Sequence, residues 1–152
     1  MLWTDILGEC YKRSLFTPRH SVPLNVHCIQ SYRDLGVWQK AIALSVSCYR
    51  ATAGFPKQEM YGMTTQIRRA AVSVAANIAE GHGREHTNTF VHFLRISQGS
   101  LKELEIHLVI AAQVGLLGPD RVQPLSAATD EVGRMPRALI RSLERRIAVD
   151  SE

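Results

Sequence analysis

The run Phe90-Val91-His92-Phe93-Leu94-Arg95-Ile96-Ser97-Gln98-Gly99-Ser100-Leu101-Lys102-Glu103-Leu104-Glu105-Ile106-His107-Leu108 decides the fold. Phe90, Leu94, Ser97, Leu101, Leu104, Leu108, Ala111 and Gly115 recur at alternating steps of four and three. A seven-residue repeat held for about four heptads keeps one seam of a helix facing a partner in a left-handed bundle. The spacing predicts a long helix from about Thr87 to Val114, terminated by Gly115-Leu116-Leu117-Gly118-Pro119.

The same period extends in both directions. Upstream, Met60, Met63 or Thr64, Ile67, Ala71, Val74 and Ile78 define a helix over about Gln58 to Glu80, ended by Gly81-His82-Gly83. Ala70, Ala71, Ala75, Ala76 and Ala79 with Ser73 give this helix small side chains on nearly every face. Small faces let backbones approach closely, so packing on more than one side is expected. Before it, Leu35, Trp38, Ile42, Ser45 and Tyr49 mark an amphipathic helix from Asp34 to about Thr52. Asp34 is its predicted N-cap and Ala53-Gly54-Phe55-Pro56 its stop. Downstream, Val122, Leu125, Thr129, Val132, Leu139, Leu143 and Ile147 place a fourth helix over about Asp120 to Ala148. Pro136 is expected to kink or split it near Arg134.

Four long helices with short links imply antiparallel neighbours, and no strand-like alternation interrupts them. The prediction is an all-α, antiparallel up-down-up-down four-helix bundle over residues 32–148. Thr17-Pro18-Arg19-His20-Ser21-Val22-Pro23 breaks any helix, so residues 1–31 read as an extended or poorly ordered N-terminal arm with a short helical turn near Asp5 to Tyr11. Residues 149–152 form a tail.

Composition narrows the function classes. At 152 residues with 45% hydrophobic side chains, one globular domain is the default. Mean hydropathy is −0.07, and no apolar run approaches the ~20 residues of a membrane span. Only 7% of residues are aromatic, which argues against a base-stacking sheet. Cys10, Cys28 and Cys48 are widely spaced and form neither a disulfide framework nor a zinc pattern. The opening residues lack a basic region followed by an apolar one, so no secretory signal is read and a cytoplasmic protein is expected.

Catalytic and metal patterns are weak. A di-iron bundle needs Glu-x-x-His motifs pointing inward, whereas Glu103 and Glu105 flank the seam residue Leu104 and neither has that spacing to His107. His82, His86 and His92 surround a turn, where polar turn residues are the better account than metal ligands. Ser97 falls on the seam, where its hydroxyl is expected to bond to its own helix. Neither a nucleophile motif nor a phosphate loop is present, so no catalytic residue, cofactor or metal is assigned and no enzyme is expected.

The basic residues say more. Eighteen Lys and Arg against fourteen Asp and Glu leave a net charge of +4, with an isoelectric point near 9.2. Arg134, Arg137, Arg141 and Arg145 follow steps of three and four and so share one side of the fourth helix. With Arg68, Arg69 and Arg84 they are the candidate nucleic-acid contacts, Lys102 being a weaker one. Phosphates neutralised by such a stripe release counterions, which gives salt-sensitive affinity without sequence preference. The plainer account is a solvated face partly neutralised by Glu131 and Glu144. Asn77 and Glu80 are polar positions in a small-faced helix, to be satisfied by Arg68, Arg69 and Arg84, by facing helices or by a neighbouring subunit.

Several ordered blocks carry a resemblance. They are Asp34-Leu35-x-Val37-Trp38-Gln39-Lys40-Ala41, Phe55-Pro56-x-x-Glu59-x-Tyr61-Gly62-Met63, and Gln66-Ile67-Arg68-Arg69-Ala70-Ala71-Val72-Ser73-Val74. Asn77-Ile78-Ala79-Glu80-Gly81-x-Gly83-Arg84 and Phe90-x-x-Phe93-Leu94-x-Ile96-x-x-Gly99-Ser100-Leu101-x-Glu103-Leu104-Glu105 complete the set. From Tyr32 to about Leu117 the chain resembles the ribosomal-RNA intervening-sequence proteins, also called S23-like. That family is similar in turn to the accessory variability determinant of diversity-generating retroelements. The resemblance implies a homopentamer of four-helix bundles with a basic surface for RNA or DNA, and a nucleic-acid-processing protein as partner. The functional expectation is therefore a non-enzymatic homo-oligomer that binds structured RNA or DNA, with a protein-binding scaffold as the alternative.

Overall fold

A computed structural model describes residues 30–149. Nearly all of the expected N-terminal arm, and the tail after Val149, lie outside the described residues. Four α-helices carry the fold: α1 (Gly36–Thr52), α2 (Met63–Gly83), α3 (Thr87–Gln113) and α4 (Pro119–Val149). Among the described residues there is no strand. The α2–α3 seam is the most extensive, α1–α2 and α3–α4 follow, and α1–α4 closes the ring. With short connections, each helix runs against its sequence neighbour, which is the expected bundle.

The core line of α3 is the one its heptads predict, from Phe90 through Leu94, Ser97, Leu101, Leu104 and Leu108 to Ala111. Gly115 leaves that line. It is exposed, adopts φ +77, and turns the chain so that the Ala111 carbonyl accepts from the Leu116 and Leu117 amides.

In α1 the predicted register is rotated. Val37, Ala41, Leu44, Ser45, Cys48, Ala51 and Thr52 are buried, while Ile42 and Tyr49 keep 38% and 46% of their surface exposed. Two lines of apolar residues run side by side on this helix, and the smaller residues of one line fit the closer seam. Asp34 does not cap α1. It ends a single 3-10 turn, Tyr32–Asp34, and its carboxylate accepts from the Gln30 and Ser31 amides at 3.1 and 2.9 Å. Leu35 occupies the cap position without a side-chain bond.

The second helix also starts later than its period suggests. Lys57–Tyr61 forms a 3-10 segment with Met60 exposed, and the Glu59 carboxylate accepts from the Met63 amide at 3.0 Å. At the other end α2 continues through Gly83. Gly81 is a packing residue there and not a terminator: a methyl in its place would lie 2.5 Å from Phe93 Cβ and 3.0 Å from Phe90 Cδ2. The chain turns at Glu85, which adopts φ +56.

Close backbones are tied by serines. Ser97 Oγ donates across the seam to the Val74 carbonyl at 3.0 Å, and not to its own helix as expected. From the other side, Ser45 Oγ lies 2.9 Å from the carbonyls of both Ala41 and Ala71. Both neighbours of α2 thus reach its backbone with a hydroxyl.

Pro136 does not split α4, which runs unbroken for 31 residues through Pro124 and Pro136. The Pro136 ring is buried in the core, and Gly133, beside it, packs on Leu101 of α3. Burial of the ring offsets part of the backbone bond that proline cannot make.

Two predictions follow from this packing. Gly81→Ala should destabilise the fold by about 1–3 kcal/mol through overpacking, read as a lower urea midpoint with an unchanged slope. Burial pushes the Cys48 thiol up to about 12. In a Cys10→Ser/Cys28→Ser chain, Cys48 should resist an aromatic disulfide reagent at pH 8 and react once urea unfolds the protein.

A candidate nucleic-acid interface on the outer face of α4

The line Leu125, Thr129, Val132, Pro136, Ile140 and Leu143 holds α4 against its neighbours. Helical geometry then sets Arg134, Arg137, Arg141 and Arg145 on the side turned away from the core, and all four are exposed. They form a ridge about 16 Å long at 1.5 Å of rise per residue. Arg137 Nε donates to the Gly133 carbonyl at 2.9 Å and Arg145 Nε to the Arg141 carbonyl at 3.2 Å. Each of these bonds uses one N–H and leaves the rest of the fork for an external anion.

The two glutamates of α4 are engaged elsewhere. Glu131 pairs with Lys40 of α1 at 2.8 Å and Glu144 with Arg95 of α3 at 2.6 Å. Among the described residues, no carboxylate pairs with Arg134, Arg137, Arg141 or Arg145. Asp130 stands on the same side, one turn before Arg134. The neutralisation expected from Glu131 and Glu144 is thus directed to the neighbouring helices.

The other sequence candidates lie apart from this ridge. Half-buried Arg68 donates through Nε to Thr52 Oγ1 at 2.9 Å and lies 4.7 Å from the centre of the Tyr49 ring. Arg69, exposed, lines a shallow groove of about 480 Å³ with Tyr49, Thr65, Val72 and Ser73. Arg84 pairs with Glu80 at 2.6 Å and Lys102 with Glu105 at 2.5 Å. Asn77 Nδ2 donates to the carbonyl and hydroxyl of Ser73, and that hydroxyl meets Ser100 at 2.8 Å. Asn77 and Glu80 are therefore satisfied within the chain.

A second surface was not visible in the sequence. Ile42, Val46 and Tyr49 of α1 and Val72 of α2 are all exposed, and Tyr49 and Val72 line the groove beside Arg69. The signal for it was the pair Ala41 and Cys48, one step before Ile42 and Tyr49, which takes the core line and turns the larger residues outward.

Among the described residues, no three His, Cys, Asp or Glu side chains gather as metal ligands would. No helix among them is long and apolar enough to cross a membrane.

With this geometry in place, comparison with known proteins assigns the chain. The family model for the 23S rRNA-intervening sequence protein matches residues 33–138. The chain belongs to that family. The match runs past Leu117 into α4, taking in Arg134 and Arg137 of the ridge, while Arg141 and Arg145 follow it. A crystal structure of a protein of unknown function from the S23 ribosomal protein family of Bacteroides thetaiotaomicron VPI-5482 is similar. It shares 20% identity at a TM-score of 0.62, covering 68% of this chain and 97% of that one. At that identity the likeness shows a shared fold alone. No curated protein matches this sequence.

One titration follows from the α2–α3 turn of this family member. Burial lowers His82 below the usual histidine value of 6.5, while Asp34 and Glu85 pull the other way. The unfolded chain then binds the proton more tightly. The stability this adds is complete above pH 6.5 and is lost as pH falls through the folded value. Urea unfolding between pH 7.5 and 5 should show a decline that His82→Gln makes shallower.

Proposed function

We propose that this chain is a non-enzymatic homo-oligomer that binds structured RNA or DNA through the arginine ridge of α4. The observation that carries the reading is the division of charge on α4. Its glutamates bind Lys40 and Arg95 of neighbouring helices, while four arginines face outward with no carboxylate paired to them among the described residues. Guanidinium groups suit phosphate through their planar donor fork. The family's name, 23S rRNA-intervening sequence protein, points in the same direction.

The α1–α2 surface supports self-association. Ile42, Val46 and Tyr49 of α1 and Val72 of α2 are exposed apolar residues, and Tyr49 and Val72 share a groove with Arg68, which is already tied to Thr52 and Tyr49. α2 and α4 are not neighbours in the ring, so copies joined through this face leave the ridge of α4 open. The same apolar face also suits a protein partner, and a scaffold that binds no nucleic acid is the alternative reading.

Charge reversal separates the two. Arg137→Glu/Arg141→Glu should weaken binding to a structured RNA at low salt by at least about tenfold and reduce the log–log salt slope by about 2. The oligomer measured by light scattering should be unchanged. Equal affinity of parent and variant would remove the ridge from the binding site and favour the scaffold.

A further inference from the structure

We infer that the α4 ridge is built for the phosphate backbone of a double helix and not for a single strand, an inference that rests on the proposed nucleic-acid reading. Three features of the ridge support this, and each bears on a different part of a nucleic acid.

The first is rigidity. Arg134, Arg137, Arg141 and Arg145 project from one continuous helix, and the Arg137–Gly133 and Arg145–Arg141 bonds hold two of the four side chains along its axis. Fixed cations gain most from anions already fixed at a matching scale. A duplex presents such an array, whereas a flexible strand must lose conformational freedom to do so.

The second is what flanks the arginines. Ala127, Ala138 and Ala148 share the outward side of α4, and all three are exposed. Methyl groups let a backbone approach the ridge and offer bases nothing to stack on. Capture of single strands depends on aromatic platforms and base-edge donors. Among the described residues the exposed tyrosines lie elsewhere, Tyr49 on the α1–α2 face and Tyr61 in the α1–α2 connection.

The third is depth. α1 and α3 flank α4 and are clipped to it by the Lys40–Glu131 and Arg95–Glu144 pairs, so only the outer side of α4 can meet a ligand. A helix that reads sequence must enter a groove far enough to reach base edges. This one touches a phosphate row from outside. Sequence-independent binding of about three to four phosphates follows, with a log–log salt slope near −3 on a duplex.

The test uses the full-length, nuclease-treated protein in fluorescence anisotropy. The probes are a short RNA duplex, a DNA duplex of the same sequence, an unrelated RNA duplex, and unstructured single strands of equal length. Duplexes should bind at least about tenfold tighter than single strands, and the two RNA duplexes should agree within about threefold. The ratio of RNA to DNA duplex affinity identifies which double helix the ridge fits better. Single strands bound as tightly as duplexes, in a manner still abolished by Arg137→Glu/Arg141→Glu, would overturn the duplex inference and leave the ridge as the site. Strong discrimination between the two RNA sequences would also overturn it. Absence of binding to every probe at low salt, or binding indifferent to the charge reversal, would overturn the nucleic-acid reading itself.

Discussion

The Ser97 hydroxyl reaches the Val74 carbonyl at 3.0 Å, and the Ser45 hydroxyl lies 2.9 Å from that of Ala71. A side chain this short can bond to a neighbouring helix's backbone only where the two backbones lie close together. The alanines of α2 and Gly81 make that possible, because larger groups at these positions would force the helices apart. α2 is thereby gripped from both sides, and the rest of the bundle is arranged around it. Among the described residues α4 packs chiefly on the two flanking helices, α1 and α3, so a broad side of it remains outside the core.

Charge then settles on α4 according to what each position faces. Glu131 and Glu144 sit where Lys40 and Arg95 can reach them. Exposed pairs of this kind contribute at most about 1 kcal/mol each to stability. Their larger effect is on the distribution of charge, since they withdraw negative groups from the outer side of α4 and leave the arginines there as its dominant charges. Four arginines on one side of a single helix thus make a local positive field.

Much of this architecture is legible from period and spacing alone. The heptads of α3 give its core directly, because Phe90 and the leucines have no competing line of apolar residues on the same side. In α1 two lines compete, and choosing the larger residues gives the wrong one. Volume against a tight seam, not hydrophobicity, decides that Ala41 and Cys48 go inside. The bond of Ser97 to the Val74 carbonyl and the packing of Gly81 on Phe90 and Phe93 depend on a neighbouring helix that the local sequence does not reveal. Of the kink or split expected at Pro136, the split does not occur: α4 continues through it, with the ring buried in the core. The arginine stripe was readable because helical spacing alone puts four residues on one side. The engagement of Arg68 was not, since that depends on Thr52 and Tyr49 of α1 lying beside it in the folded chain, whereas the Arg84–Glu80 pair is a helical spacing of four.

The most direct measurement is amide hydrogen exchange of the whole protein with and without a short RNA duplex, resolved by peptide. Added protection confined to α4 around residues 134–145 is the expected result, with the α1–α2 face unchanged by the RNA. Protection centred on Arg68 and Arg69, or no change anywhere under conditions that saturate binding, would contradict the assignment of α4 as the interface.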